Sequence, residues 1–449
     1  MLGTRHKVSG PQTPDVWARN MKTIHACLLA IEFLALTLAP TYAANRYVTL
    51  AGAHISPFTS WTNAARDIQS AINVAANNDA VFVSNGVYAI GSTILLNKKI
   101  SVQSVNGAAQ TSINGGGNKR CIEMTNGATI DGFTITGGWA VYGAGILSTS
   151  GMVVNCIIQN NTAYNPGPIN QAVGGGASLE NSTMRNCIVA SNTSEIAGGG
   201  IDCYKNVLVE NTSILNNSAP AGAGLCVEGS TTIQNCLIAR NVADTQGGGI
   251  FNLSTGVQCI HCSITENTAG TEGGGIYALG SISVVNSITH GNDAPLNSNY
   301  YGSTMSYSCT APPKAGSMNI SSSPMFANPG AGDYRLLGAS PCIDAGTNII
   351  GIVSDRDGLP RVLDGNLDGV TAPDMGCYEY WNVSGNSTQE GHMLIQWPGA
   401  TNRKYSILTT TNLLLPFSPM ATGITGRTPF NTYTNPTLDA VGFFSVIME

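Results

Sequence analysis

Acids and aromatic residues recur at matched intervals along the middle of this 449-residue sequence, and they are the side chains best suited to chemistry. Glu180 and Glu228 hold equivalent places in two segments of like pattern; Tyr204 lies between them, and Asp202 stands two residues before it. Phe251 and Tyr277 follow in the next two segments. If the segments stack as strands, the Glu180 and Glu228 backbones lie about 9–10 Å apart, two strand spacings. Carboxylates at the upper end of that range suit an inverting glycosidase. Acids beside aromatics equally suit passive sugar binding, and a solvated strand edge carries the same residues without any ligand.

A second acidic group lies downstream. Residues 344–379 hold Asp344, Asp355, Asp357, Asp364, Asp368, Asp374 and Glu379 against Arg356 and Arg361. Within it Asp364, Asn366 and Asp368, followed by Gly369, have the spacing of calcium loops, which set hard oxygen ligands on one side of a tight turn. Met375 takes the twelfth place, where an EF-hand has Glu. The segment therefore reads either as a calcium site outside that motif or as an acidic turn. His261 and His290 have no partner at metal-ligand spacing and read as structural.

The elements that must position these residues are repeats. Six units open on a glycine cluster and an apolar or small residue: Gly143–Ile146, Gly174–Ala177, Gly198–Ile201, Gly222–Leu225, Gly247–Ile250 and Gly273–Ile276. Their closing residues are 31, 24, 24, 25 and 26 positions apart. Each unit ends on an Asn with a small tail, at Asn161, Asn192, Asn217, Asn241, Asn267 and Asn292. Ahead of that Asn come a small column (Cys156, Cys187, Thr212, Cys236, Cys262, Ser287) and an earlier Asn column (Asn155, Asn186, Asn211, Asn235, His261, Asn286). Small and apolar residues two apart are the inward face of a short strand. Gly and Asn tolerate the left-handed backbone of sharp corners, and stacked Asn side chains can bond along their column. The outward residues Ile157, Ile188, Ser213, Leu237, Ser263 and Ile288 include no acid, which argues against lyase or polygalacturonase chemistry on that face.

A stack of coils needs a closed end. Trp61–Ala76 places Ala64, Ala65, Ile68, Ile72 and Ala75 on one helical face, with Asp67 and Gln69 turned away, as a capping helix would. Strands are expected at Ala80–Ser84, Ile94–Leu96, Ile100–Val105 and Ala128–Thr136. The start reads as a leader and signal peptide over residues 1–43, beginning at Met21: basic residues, an apolar run Ala26–Ala39 broken by Glu32, and a small-residue cleavage site ending at Ala43. A membrane anchor is the other reading of that run, which is shorter than the ~20 residues of a span. Residues 1–43 carry +2, so the remainder carries about −8 (−6 minus +2), with no basic stripe to suit nucleic acid. Of 12 cysteines, removal of Cys27 leaves 11, an odd number that suits buried thiols better than a disulfide framework.

The Gly-Gly-Gly-Ile openings and Asn-Thr-Ala closings resemble the repeats of polymorphic outer-membrane proteins and related bacterial β-helices with the pectin-lyase-like fold. Ser323–Phe326, Ser340–Gly346, Asp355–Arg361 and Asp374–Tyr380 further resemble the choice-of-anchor type of surface β-helix protein over roughly residues 45–381. The resemblance implies an exported chain in the bacterial envelope or outside the cell, and no proven activity. In that oxidising setting Cys342 and Cys377, one in each of two matching motifs, are expected either to pair as a disulfide or to stay as buried thiols. Residues 383–449, with strands at His392–Trp397, Lys404–Leu408 and Gly442–Ile447, resemble small appended sandwich modules.

The expected architecture is all-β: a right-handed parallel β-helix with an N-terminal capping helix and a small C-terminal β-sandwich-like domain. Its parts are a leader (1–43), cap and first coils (44–124), repeat coils (125–332), an acidic C-terminal segment of the helix (333–382) and the module (383–449). The preferred function is a non-catalytic, rigid face for adhesion or for a polysaccharide or cell-surface glycan partner, with calcium the one cofactor suggested. The alternative is a glycoside hydrolase or polysaccharide lyase.

Overall fold

Four short strands joined by four sharp corners make one coil, and the coil from Ala177 to Ser194 shows how sequence dictates it. Its strands are Ala177–Glu180, Ser182–Arg185, Ile188–Ala190 and Thr193–Ser194. The corners fall on Asn181, Asn186, Ser191 and Gly198, all with positive φ between 44° and 63°. Alternate side chains point inward, so Ala177, Leu179, Met184, Cys187 and Val189 are buried within 1% exposure or less. The glycine triplet has three separate jobs. Gly174 adopts φ 70°, a Cβ on Gly175 would lie 2.2 Å from the Thr193 carbonyl oxygen, and one on Gly176 would lie 2.9 Å from the Asn192 amide nitrogen.

Coils stack in parallel register, Ile146 on Ala177, Ile201, Leu225, Ile250 and Ile276 in turn, through about nine turns of solenoid. The computed structural model describes residues 43–167, 171–366, 368–387, 393–401, 403–410, 416–427, 430–435 and 443–449. The expected leader up to residue 42, with its start at Met21 and the apolar run, lies outside these residues. No helix among the described residues is long and apolar enough to cross a membrane.

The closing asparagines pile into one buried ladder. Each Nδ2 donates to the Oδ1 of the next coil's Asn at 2.8–3.0 Å, from Asn161 through Asn192, Asn217, Asn241 and Asn267 to Asn292. The same Oδ1 also accepts the preceding rung's backbone N–H, as Asn241 does from Asn217 at 3.0 Å. These residues do not themselves turn the corner. The left-handed position is the residue before: Asn160, Ser191, Asn216, Arg240, Glu266 and Gly291. The earlier Asn column does turn corners, with φ near 50° at each member including His261. In the small column Cys, Thr and Ser interchange because each offers an acceptor: Cys187 N donates to Thr212 Oγ1 and Cys262 N to Ser287 Oγ.

The capping helix is shorter than its periodicity suggests, Ile68–Val74, with Asp67 as N-cap accepting from Ser70 N. Ala64 and Ala65 are buried as expected, but Ala65 lies in a bridge beside Val48. Ala128–Thr136 is two strands, Ala128–Asp131 and Thr134–Thr136, because Gly132 with φ 79° turns the chain between them.

Beyond the last coil the chain reverses. Residues 333–380 do not add coils but fold back across the third-strand face, where Leu237, Ser263 and Ile288 are 3% exposed or less while uncovered Ile188 is 40% exposed. Cys377 N donates to Ser263 Oγ, Arg361 to Asn235 Oδ1, and Asn286 Nδ2 to the Thr347 carbonyl. Cys342 and Cys377 are free thiols, which corrects the disulfide option: Cys342 packs with Ile288 and Cys309, Cys377 with Leu237 and Tyr334. The two thiols fill different apolar clusters under this strap, so neither faces the other. All the described cysteines are buried and unpaired.

The described residues between 384 and 448 form two three-stranded antiparallel sheets. Ser384–Ser387, Met393–Pro398 and Phe430–Asn435 make one; Ser418–Thr425, Lys404–Thr410 and Phe443–Met448 make the other. Ile395, Trp397, Tyr405, Ile407 and Val446 form the core, the sandwich-like arrangement expected. Arg403 ties this module to the strap through Asp357.

Candidate functional site

Glu180, Asp202, Tyr204 and Glu228 line one open groove of about 540 Å³ on the glycine-led face. The first strand of each coil points Ile201 and Cys203 inward, so Asp202 and its neighbours in register, Ser178 before and Cys226 after, form the outward column. Tyr204 enters by irregularity. Glu180 pairs with Lys205 and not with Tyr204, leaving Tyr204 as an extra residue in a bulge with its ring 55% exposed. Gly229 makes room for the bulge, since a Cβ there would lie 2.0 Å from the Tyr204 carbonyl oxygen. A bulge beside a groove re-aims a side chain in this way.

The far wall comes from the one long repeat. The 31-residue interval between Ile146 and Ala177 exceeds the others; its added chain carries Gln171, which accepts at Oε1 from the Tyr142 hydroxyl at 2.9 Å, while Val173 keeps the regular place in register with Tyr142 and Ala197. Nothing in the repeat pattern marked Tyr142, Gln171 or Ser178 as groove residues; the unequal spacing was the signal for the wall.

Asp202 is the unusual group. It is 3% exposed, its Oδ2 accepts from Ser178 Oγ at 2.8 Å, and its buried Oδ1 has no partner. Burial, reinforced by the nearby Glu228 charge and opposed by the Ser178 bond, pushes its carboxyl up to about 7. Glu228 is exposed, and one ligand atom each from Asp202, Cys226 and Glu228 lies within 4.8 Å of the others. Burial pushes the Cys226 thiol well above its ordinary range, with the Asp202 and Glu228 charges adding to the shift. Glu180 is half-buried and accepts from Asn181 Nδ2 at 3.3 Å.

Phe251 and Tyr277 are placed elsewhere. They continue the Asp202 column beyond Cys226 and stack on each other and on Tyr301, with centroids 5.8 and 4.9 Å apart and planes 15° apart. Tyr277 has a ring against each of its faces, so this trio forms an aromatic ladder between coils.

Asp364, Asn366 and Asp368 do share a single exposed turn. Their oxygens already accept from the chain: Asp364 from Asp368 N and Gly369 N, Asn366 from Asp368 N, and Asp368 from Val370 N. Asp344 closes the turn from outside by accepting from Gly365 N and Asn366 N.

Comparison with known proteins adds the following. Pectate lyase Pel9A is similar over 77% of this chain and 98% of its own, at 16% identity and a TM-score of 0.48. The pectin methylesterase from Aspergillus niger is similar over 63% and 86%, at 14% identity and a TM-score of 0.29. XylC in complex with xylose is similar over 90% and 100%, at 9% identity and a TM-score of 0.31. No curated protein sequence matches the chain. Residues 120–294 match the family model described as "Right handed beta helix region", and the chain folds as a right-handed parallel β-helix.

Proposed function

We propose that this chain is an exported, carbohydrate-binding β-helix that holds a polysaccharide or surface glycan in the groove between Tyr142 and Tyr204. The observation that carries the reading is the convergence of Glu180, Asp202, Glu228 and the exposed rings of Tyr142 and Tyr204 on one open depression. Rings give sugar rings an apolar face to rest on, while carboxylates accept from sugar hydroxyls. The surrounding coils are rigid, so little ordering is lost on binding. Export belongs to the same proposal and rests on residues 21–43 and on the composition of the chain. Calcium at the turn of Asp364, Asn366 and Asp368 is a separate proposal, tested by calcium titration of Asp368→Asn against the parent.

The test is retention of the full chain on a panel of plant and algal polysaccharides and a glycan array. Tyr204→Ala and Glu228→Gln should each weaken retention about tenfold, the loss of one good contact of roughly 1.4 kcal/mol. Retention unchanged in both variants would remove the groove from the account. New reducing ends or ultraviolet-absorbing unsaturated products, abolished by Glu228→Gln, would replace binding with hydrolysis or elimination.

A further inference from the structure

Asp202 and Glu228 line the groove, Cys226 is buried beside them, and one Asp202 oxygen is left without an internal partner. Asp202 and Cys226 are register partners on adjacent strands, and Glu228 lies two residues beyond Cys226 on the same outward face. Register partners sit one strand spacing apart, so the Asp202 carboxyl and the Cys226 thiol stand side by side. Asp202 Oδ1 is fully enclosed with no donor in reach, although Oδ2 of the same carboxylate is satisfied by Ser178. A buried carboxylate oxygen with no partner is costly, and proteins normally supply one.

We propose that Asp202, Cys226 and Glu228 hold a single divalent cation of the zinc type. Their ligand atoms already lie within 4.8 Å of one another. Zinc–sulfur and zinc–oxygen bonds of about 2.3 and 2.0–2.2 Å at tetrahedral angles place two ligands about 3.5 Å apart. A contraction of up to about 1 Å closes the set, and Glu228, the exposed member, can make it by a side-chain rotation. The thiol decides the metal class. Calcium and magnesium take oxygen ligands alone, whereas a thiolate with two carboxylates suits zinc and its cobalt substitute. Binding converts the Cys226 thiol to thiolate, and its proton leaves to solvent. Ser178 Oγ fixes the Asp202 carboxylate from behind, as the outer partners of metal ligands do. Three protein ligands leave a fourth position toward the groove that Asp202 and Glu228 line.

The experiment uses metal-stripped full-length protein titrated with cobalt(II) alone, followed by the thiolate-to-cobalt charge-transfer absorbance. One equivalent should develop the band, zinc should displace it, and excess calcium should not. Cys226→Ser should abolish the band. Glu228→Gln, a surface change that leaves the fold intact by circular dichroism, should weaken cobalt binding about tenfold or more, and Asp368→Asn should leave it unchanged. No band, a band that persists in Cys226→Ser, or equal competition by calcium would overturn the proposal. No glycan is present in this titration, so its failure leaves the carbohydrate reading standing, and loss of glycan retention leaves the metal site standing.

Discussion

At the residue scale, the two asparagine columns look alike in the sequence but differ in burial, and that difference sets what each is worth. Asn217 is fully buried: its Oδ1 accepts from the backbone and side chain of Asn192, and its Nδ2 donates to Val189 O and Asn241 Oδ1. Removing it strands several buried groups, each worth about 1–3 kcal/mol. Asn217→Ala is expected to cost roughly 3–5 kcal/mol, read from the denaturation midpoint. Asn186 sits on the more open column with a long 3.3–3.4 Å contact to each neighbour, so Asn186→Ala should lose less than about 1 kcal/mol. The ladder was legible because six asparagines recur at the same place in each repeat. Its last rung was not. Asn292 donates to Asn299, only seven positions on and outside the pattern, because the chain shortcuts the final coil. Asp202 was legible as an outward acid; its burial, shared with its register neighbours Ser178 and Cys226, was not.

At the element scale, the strap over residues 333–380 is the part that sequence periodicity described least well. Its acids suggested a ligand surface, yet Asp355, Asp374 and Glu379 are 2% exposed or less and hold the strap's own backbone. Asp355 accepts from Glu379 N, Asp374 from Asp344 N, and Glu379 from Asp374 N. An aperiodic segment shows which residues are polar but not where they fold back. Arg361 and Glu379 form a buried ion pair at 2.7 Å. Arg361→Met should cost about 3–5 kcal/mol by leaving Glu379 buried alone, and Arg361→Met with Glu379→Leu should recover much of it; calorimetry of both variants checks this. Burial raises Asp355 to about 6 and Asp374 to about 7. A carboxyl raised on folding binds its proton more tightly in the native state, so its stabilisation is full below the unfolded value near 4 and is lost as pH rises through 6–7. The unfolding midpoint should therefore fall between about pH 5 and pH 8, and Asp374→Asn should flatten that slope.

At the scale of the whole molecule, the strap and the terminal module finish what the coils leave open. Truncation after residue 332 would bare Leu237 and Ile288 on a flat parallel face. Such a face recruits other chains, and light scattering should show the truncated protein as oligomers. The solenoid itself follows from the repeats, and the module's sheets were partly legible: Met393–Pro398, Lys404–Thr410 and Phe443–Met448 match expectation, while Ser418–Thr425 and Phe430–Asn435 lack clear apolar alternation and went unread.

The buried amides all point one way, each carbonyl oxygen toward the earlier coil and each nitrogen toward the later. Such a column has translational symmetry: sliding it by one rung reproduces it. The protein can then gain or lose length only in whole graduations, like a ruler, because any other increment would break the polarity of the column at the splice. Duplicating residues 198–221, one full graduation, should yield a taller protein that still folds, whereas duplicating half that stretch should not.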